Sequence, residues 1–334
     1  MKVGILLPVA IEMWRSLALL DDTFPLPLDS PFTFAQARAV GVHSDVLTEL
    51  FRLGLLRRPI KGVYVVAQLG DSVELRARAL RLVVPEDCVI CDRHAGWLHG
   101  AEMVLAPNEH LELRPISVFR PSGMGRLRNG LCDSGERNLT PADVMEVHGL
   151  RVTTPLRTAL DLGRQRWREP ALSGMDAMLR LGQFSHVELV HGVPRFRGMR
   201  WVTVLRELAP LADGRAESPG ESVLRLRWLD LSLPTPRPQV PVALPGGRLV
   251  YLDVGNEAAR FAAEFQGWEF HSAPDQVEHD DERFSQLEKE GWVVKPVWKE
   301  NLWGPRADVE RILHQGFVEA RTRMGRQILH DRRH

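Results

Sequence analysis

Residues 252–266 read LDVGNEAARFAAEFQ, and this stretch decides how the C-terminal half of the chain folds. Two short apolar runs flank GNEA, a pattern that predicts two antiparallel strands joined by a tight turn. Strand alternation places Ala262, Glu264 and Gln266 on one face of the second strand. With the turn centred near residues 258–259, Asp253 and Glu264 lie opposite each other on neighbouring strands. The pattern therefore predicts two carboxylates side by side.

Two negative charges in such a position repel each other unless a cation lies between them. A hard divalent ion such as Mg²⁺, or Mn²⁺ in its place, prefers carboxylate oxygens and keeps several waters. Such an ion can polarise a phosphoryl oxygen and activate a water for phosphodiester hydrolysis. The alternative is that Asp253 and Glu264 are independent polar residues on the solvated face of a hairpin. Alternation by itself leaves both interpretations open.

The flanking sequence supplies further candidate groups for this site. ESVLRLRWLDL, residues 221–231, predicts an amphipathic helix with Glu221 in its first turn, where the helix dipole favours an acid. QVPVALPGGRLVYLDV, residues 239–254, predicts a strand, a Pro-Gly-Gly turn and a second strand. His271 follows the third strand, and the stretch 253–290 holds eleven acidic residues against three basic ones.

The order of helical segments, glycines and basic residues in 32–66, FTFAQARAVGVHSDVLTELFRLGLLRRPIKGVYVV, is typical of a winged helix-turn-helix. A first helix ends at Gly41, and a second one, capped by Ser44, ends at Gly54. A basic hairpin, the wing, follows. Side chains of the second helix and the wing could contact the bases and phosphates of DNA. The candidate DNA-binding residues are Ser44, Thr48, Arg52, Arg57, Arg58 and Lys61. The alternative is a solvated helical pair with a few surface cations.

Composition and charge limit the class of protein. Lys and Arg total 43, as do Asp and Glu, so net charge gives no general attraction to nucleic acid or membrane. No apolar run is long enough to span a membrane, and the N-terminal stretch has no signal-peptide cleavage site. Three cysteines cannot form a disulfide framework, which favours a reducing, cytoplasmic setting.

Residues 217–303 resemble the very-short-patch-repair-type branch of the PD-(D/E)XK nucleases. The resemblance rests on an ordered set of short motifs spread over about a quarter of the chain. In chain order these motifs are Glu221 and Ser222, Leu252 and Asp253, Glu264 to Gly267 with His271, Asp281 and Arg283, and Gly291, Trp292 and Val294. The resemblance implies a restriction-endonuclease-like domain with a central mixed sheet flanked by helices.

The same resemblance implies roles for particular residues. Asp253 and Glu264 would bind the metal, Glu221 would be an accessory acid, and His271 would transfer a proton or orient the water. Gln266 is a departure, because the superfamily usually has Lys at this catalytic position and this branch often has Asp. A glutamine can serve neither as an ion nor as a general base.

The first half is similar to the AbiEi-type antitoxin region, in which a winged helix precedes a small α/β domain. The stretches that carry this similarity are residues 32–66, RHAGWLHG (93–100) and LRVTTPLRTALDLGR (150–164). The similarity implies binding to double-stranded DNA, autoregulation of an operon and a nucleotidyltransferase toxin as a partner.

Together these patterns predict an α/β (α+β) multidomain protein. Its expected parts are a winged helix-turn-helix (31–70), an AbiEi-like α/β domain (71–166), a helical connector with a linker (167–216), a PD-(D/E)XK nuclease-like domain (217–305) and a C-terminal helix (306–334). Two functions follow as hypotheses. The first is a DNA-binding protein that cuts phosphodiester bonds with Mg²⁺, and the alternative is a non-catalytic regulator or antitoxin of a type IV toxin–antitoxin system.

Overall fold

The computed structural model describes residues 12–101, 115–127, 132–266 and 283–331, with side chains described as far as residue 325. The chain forms two compact units, and the boundary between them in the sequence lies between Asp161 and Leu162. Each unit combines helices with at least one β-sheet, so the chain is an α/β multidomain protein. Among the residues described, every helix is too short or too polar to cross a membrane.

The first unit begins with a three-stranded sheet and two short helices and continues into a five-stranded sheet with helices around it. Its elements are β1 (Phe32–Thr33), α1 (Phe34–Ala39), α2 (Ser44–Arg52), β2 (Leu56–Ile60), β3 (Val63–Val66), α3 (Val73–Arg81), β4 (Val89–Ile90), α4 (Asp92–Leu98), β5 (Ile116–Pro121), β6 (Cys132–Arg137), β7 (Val144–Val147), β8 (Leu150–Thr153) and α5 (Pro155–Gly163).

The N-terminal part has the predicted order of helix, turn, helix and hairpin. Thr33 starts α1 with a capping box to Gln36, and the sheet order is β1-β3-β2 with antiparallel pairs. Gly41 and Gly54 take φ values of 84° and 74°, a left-handed conformation that favours glycine and ends each helix. One detail of the prediction is wrong, because His43 is the N-cap of α2 and Ser44 is its first helical residue.

The five-stranded sheet has the mixed order β6-β5-β4-β8-β7. Its core holds Ile90, Ile116, Val118 and Val152 from the strands, packed against buried residues of α3 and α4. These four strand residues are fully buried, which is typical of a sheet covered by helices.

The second unit is built on a four-stranded mixed sheet. Its elements are α6 (Arg168–Arg180), α7 (His186–Gly192), α8 (Val202–Leu208), α9 (Pro219–Asp230), β9 (Arg237–Ala243), β10 (Leu249–Asn256), β11 (Phe261–Gln266), α10 (residues 283–289), β12 (Val293–Trp298), α11 (Lys299–Leu302) and α12 (Val309–Asp331).

The sheet order is β12-β11-β10-β9, with β9, β10 and β11 antiparallel and β12 parallel to β11. One apolar cluster joins the sheet to α9 and α12, and within it the rings of Trp228 and Phe261 stack at 4.7 Å. A second cluster joins Val240 and Leu252 of the sheet to Leu287 of α10 and to Trp292. The predicted central mixed sheet with flanking helices is therefore present.

ADGRAESPG, residues 212–220, is rich in Gly, Pro and small polar residues, a composition that predicts a linker, but the stretch packs against α6. Ala212 and Ala216 are buried there, and the backbone N–H of Asp213 donates to the Asp176 carboxylate at 2.7 Å. A Cβ atom at Gly214 would lie 2.8 Å from the backbone nitrogen of Arg180, so only glycine allows this close packing. The small polar residues that suggested flexibility serve instead to bring two helices together. The connector of residues 167–216 accordingly belongs to the same compact unit as residues 217–305.

Helix α9 also differs from its prediction as an amphipathic surface helix. Val223, Leu224 and Trp228 are buried as expected, but Arg225 on another face is only 4% exposed. Its guanidinium donates to Asp176 of α6 at 2.7 Å, so a charged residue lies inside the unit with a charged partner. The helix is enclosed on most sides, and three of its polar residues, Glu221, Ser222 and Arg225, are buried.

Candidate carboxylate centre and nucleic-acid interface

The hairpin of β10 and β11 brings Asp253 and Glu264 together. Its register is set by the pairs Val254↔Ala263 and Gly255↔Ala262, so the next step along the strands places Asp253 opposite Glu264. The Asp253 Oδ2 atom accepts the backbone N–H of Phe265 at 2.8 Å. The carboxylate thus holds the neighbouring strand by a side-chain hydrogen bond and cannot point independently into solvent.

Glu221 reaches the same centre from the first turn of α9. Ser218 is the N-cap of this helix and accepts the backbone N–H of Glu221 at 3.1 Å. This bond fixes the position of Glu221 in the first turn. The Glu221 Oε2 atom accepts the backbone N–H of Glu217 at 2.8 Å and the side-chain amide of Gln239 at 3.1 Å. Burial raises the pKa of Glu221, and these donors oppose that rise.

The pKa of Asp253 shows how strongly the three carboxylates interact. Burial is the largest cause of its rise, and the charges of Glu221 and Glu264 follow, so that the pKa of Asp253 is raised to about 8. The N–H of Phe265 and the guanidinium of Arg283 act in the opposite direction. Near neutral pH the centre therefore holds a proton on Asp253 more readily than it holds a third negative charge.

Arg283 places a cation beside Glu264. Its Nη2 donates to Glu264 Oε1 at 2.5 Å and its Nη1 to Glu264 Oε2 at 3.1 Å, while Glu264 is only 2% exposed. The same Nη2 donates to the backbone carbonyl of Tyr251 at 2.9 Å. Two parallel bonds between a guanidinium and a carboxylate are the strongest form of this pair.

The nuclease resemblance implies an Mg²⁺ or Mn²⁺ ion, and the side chains of the centre do not provide for one. Within the described residues, no three His, Cys, Asp or Glu side chains are grouped so that they could hold a metal ion. Both Glu264 oxygens face the guanidinium of Arg283, and one Asp253 oxygen is used by a backbone N–H. The centre in this arrangement fits an organic cation and does not fit a divalent metal.

Two other predicted catalytic residues have different outcomes. Gln266 ends β11 opposite Trp298 of β12 and is partly exposed, two residues beyond Glu264 on the same strand. His271 lies outside the described residues, as does Asp281 of the D-x-R motif.

Sequence reasoning missed the part that Gln239 plays in this centre. The pairs Leu252↔Val240 and Val254↔Pro238 flank Gln239 and place it beside Asp253 on the strand opposite to Glu264. Its backbone takes a φ of 52°, a left-handed conformation rare for a residue with a side chain and often found near functional sites. The two prolines near it, Pro238 and Pro241, were the available signal, since proline disturbs a regular strand.

The candidate nucleic-acid interface is the outer face of α2 together with the β2–β3 hairpin. Ser44, Thr48 and Arg52 are exposed, whereas Leu47 and Leu50 of the same helix are buried. Glu49 is paired with Arg15 at 2.6 Å, which reduces the negative charge this face would show to a phosphate. Three of the predicted contact residues therefore share one accessible face.

The two arginines of the wing differ in their surroundings. Arg57 donates to the backbone carbonyl of Leu69 and so is tied to its own chain. Arg58 lies over the ring of Tyr64, with its guanidinium carbon 5.5 Å from the ring centre. Lys61 lies at the turn between the strands and is partly exposed. Arg58 and Lys61 both lie on the partly exposed surface of the wing, where a phosphate backbone could meet them.

Comparison with known proteins places a family match across the middle of the chain. Residues 88–211 match the model of the AbiEi antitoxin C-terminal domain family. This match runs past residue 166, where the AbiEi-like domain was expected to end, and continues to the end of α8 and the turn after it.

Two curated proteins of Mycobacterium tuberculosis are also similar. They are Uncharacterized protein MT2308 of strain CDC 1551 / Oshkosh and Uncharacterized protein Rv2248 of strain H37Rv. Each is 37% identical over 156 residues, which is 47% of this chain and 58% of the relative. The chain thus spans little more than half the length of the curated relatives it matches.

Proposed function

We propose that this chain is a DNA-binding transcriptional regulator of the antitoxin type, acting in a type IV toxin–antitoxin system. The observation that carries the proposal is the match of residues 88–211 to the antitoxin family, directly after a winged helix-turn-helix at residues 32–66. Double-stranded DNA is the proposed ligand, in a cytoplasmic setting. The proposed protein partner is a nucleotidyltransferase toxin.

The geometry of the winged helix supports a particular mode of binding. The exposed face of α2, with Ser44, Thr48 and Arg52, has the size and polarity to enter a major groove. Arg58 and Lys61 of the wing then approach the adjacent phosphates, which fixes the register without reading the sequence. Affinity from such contacts arises largely from counterion release and therefore falls as salt is raised.

The test is fluorescence anisotropy with a fragment of the protein's own promoter, repeated at several salt concentrations. Replacing Arg58 with Ala should weaken binding to every sequence and reduce the slope of log affinity against log salt by about 0.9. Arg311→Ala is the matched control, because Arg311 is an exposed arginine of α12 whose partner is Asp308 in the preceding turn. Equal affinities and equal slopes for the two variants would contradict the proposal.

The toxin partner has a separate test. Tagged protein is co-expressed with a candidate nucleotidyltransferase toxin, and growth and co-purification are measured. Rescue of growth supports the antitoxin role, and co-purification shows whether the two proteins also form a stable complex. If growth is still lost when the folded chain is present, the chain is a regulator without antitoxin function.

Metal-dependent hydrolysis of DNA is the second candidate, and one observation favours it. Asp253 lies opposite Glu264, and burial, followed by the charges of Glu221 and Glu264, raises the pKa of Asp253 to about 8. The contacts of Arg283 argue against it, since the guanidinium holds both oxygens of Glu264. Incubation with supercoiled plasmid and Mg²⁺ or Mn²⁺ decides the matter. Nicking by the parent and not by Asp253→Ala would restore the deoxyribonuclease hypothesis.

A further inference from the structure

The exposed face of α2 offers a DNA groove apolar surface as well as hydrogen-bonding groups. We infer that Phe51 and the methyl group of Thr48 contact thymine methyl groups in the major groove, so that the chain recognises its DNA site partly through those methyl groups. This recognition rests on the DNA binding proposed above. It adds Phe51 to the side chains of the interface, a residue that the predicted contact set does not include.

Phe51 is an apolar residue on the solvent side of α2. Its exposed fraction is 42%, whereas Leu47 and Leu50 of the same helix are buried. Successive residues of a helix are about 100° apart around its axis, so Ser44, Thr48 and Phe51 lie within about 60° of one another. All three are exposed. A phenyl ring therefore shares the face that carries two of the predicted DNA-binding residues.

The hydroxyl groups of this face already have partners within the helix. The Ser44 hydroxyl donates to the carboxylate of Asp45 at 3.2 Å, and the Thr48 hydroxyl donates to the backbone carbonyl of Ser44 at 2.8 Å. A threonine that binds the backbone one turn earlier holds its hydroxyl against its own helix. The methyl group of Thr48 is then the part of this exposed side chain that remains available to a ligand.

Thymine is the base that matches such a face. It is the only one of the four bases that carries a methyl group in the major groove, and phenylalanine or the methyl group of threonine is suited to contact it. Arg52 follows Phe51 directly and is exposed, and Arg58 and Lys61 lie on the wing. Positive charge next to the apolar face favours a polyanion such as DNA over an apolar protein surface.

The experiment measures fluorescence anisotropy with the duplex that the parent protein selects from a random-sequence pool. Each thymine is replaced in turn by deoxyuridine, which lacks the methyl group and keeps the hydrogen-bonding groups of the base. At one position or more the parent should bind about fourfold more weakly, the loss expected when one buried methyl group is removed. Phe51→Ala should bind the thymine and deoxyuridine duplexes equally at such a position. Thr48→Ser, which loses one methyl group and keeps the hydroxyl, should likewise abolish the effect of one thymine methyl group.

Leu53→Ala is the matched control. Leu53 is 50% exposed and ends the same helix, but it lies about 200° around the axis from Phe51. Its replacement removes apolar surface of similar size from the other side of α2, and the fourfold response to deoxyuridine should persist. Equal loss of that response in Leu53→Ala and Phe51→Ala would show that a general change in the helix is the cause and would overturn the inference.

The remaining outcomes separate this inference from the proposed function. A parent protein that binds its selected duplex and responds to no thymine substitution keeps the proposed function and refutes the methyl contacts. A response that persists unchanged in Phe51→Ala refutes the role of Phe51. If circular dichroism shows that Phe51→Ala is unfolded, Thr48→Ser decides. A parent that selects no sequence from the pool would remove the proposed function itself, and the methyl contacts with it.

Discussion

Asp176 is fully buried and Asp253 is half-buried in the second unit, and their surroundings are opposite. Asp176 receives Arg225 at 2.7 Å, the hydroxyl of Ser222 at 2.8 Å and the backbone N–H of Asp213 at 2.7 Å. Asp253 receives one backbone N–H and faces the charges of Glu221 and Glu264. A carboxylate surrounded by hydrogen-bond donors joins helices. The negative charge of a carboxylate beside other acids is unfavourable unless it binds a proton or a cation.

This contrast separates a structural ion pair from a candidate functional centre without any reference to family. The Asp176 cluster is complete, since its two oxygens accept three hydrogen bonds, one from the backbone of Asp213 and two from side chains of α9. In the carboxylate centre, Arg283 balances Glu264 while Asp253 remains next to two acids.

The largest effect is expected when Asp176 is replaced by Ala. Arg225 would then be left buried without its ionic partner, which costs about 3–5 kcal/mol in the free energy of unfolding. Asp230→Ala is the control, because Asp230 pairs with Arg168 at an exposed position, where such pairs contribute about 0–1 kcal/mol. Urea denaturation measures both values. Similar losses in the two variants would mean that the Asp176 cluster is not the structural element described.

The next effect concerns the pH dependence of stability at Asp253. Its pKa in the folded protein, about 8, lies above the ordinary value of 3.8, so its contribution to stability is complete below about pH 4 and is lost as the pH rises through 8. Asp253→Asn cannot acquire that charge. The free energy of unfolding of the variant should equal that of the parent near pH 4. Towards pH 8 it should exceed that of the parent, by about 1.4 kcal/mol for each unit by which the pKa of Asp253 is raised in the folded protein.

Urea midpoints measured across this pH range check the prediction. Asp213→Asn serves for comparison, because the pKa of Asp213 is lowered, with Arg215 as its neighbour, and its contribution should be lost towards acid pH instead. Parallel stability curves for the parent and Asp253→Asn would show that the acids of the centre do not interact as the structure indicates.

The smallest effect separates the backbone of Gln239 from its side chain. Both Gln239→Ala and Gln239→Gly remove the hydrogen bond to Glu221. Alanine keeps a Cβ atom in the left-handed conformation, which is strained, whereas glycine adopts this conformation without strain. The Gly variant should therefore be more stable than the Ala variant by about 1 kcal/mol, as measured by urea denaturation. The reverse order would show that the φ of 52° is not strained at this position.

Sequence patterns predicted much of the local structure for identifiable reasons. Gly41 and Gly54 marked the ends of two helices, and alternation in 261–266 placed Glu264 opposite Asp253. Both depend on residues close together in the chain, where the geometry of a turn or a strand is nearly fixed. The match at residues 88–211 supports the antitoxin resemblance that the motifs of the first half suggested.

Other features could not be predicted because they depend on residues far apart in the chain. The stretch 212–220 reads as a linker, but Asp176, more than thirty positions earlier, binds its backbone. Similarly, the acidic composition around Asp253 suggests a metal, and it is Arg283 on a separate helix that supplies the cation. Composition shows which charges a site holds, and only packing shows which of them meet.

The amino-acid sequence by itself determined the winged helix, the strands of the C-terminal sheet and the cross-strand placement of Asp253 and Glu264, because these follow from short-range periodicity and turn chemistry. The tertiary structure alone decided that Arg283 neutralises Glu264, that Gln239 takes a left-handed backbone beside Asp253, and that Asp176 joins α6 to α9. The physical reason is that the energy of a buried charge depends on the groups within a few ångströms of it, and folding chooses those groups from the whole chain.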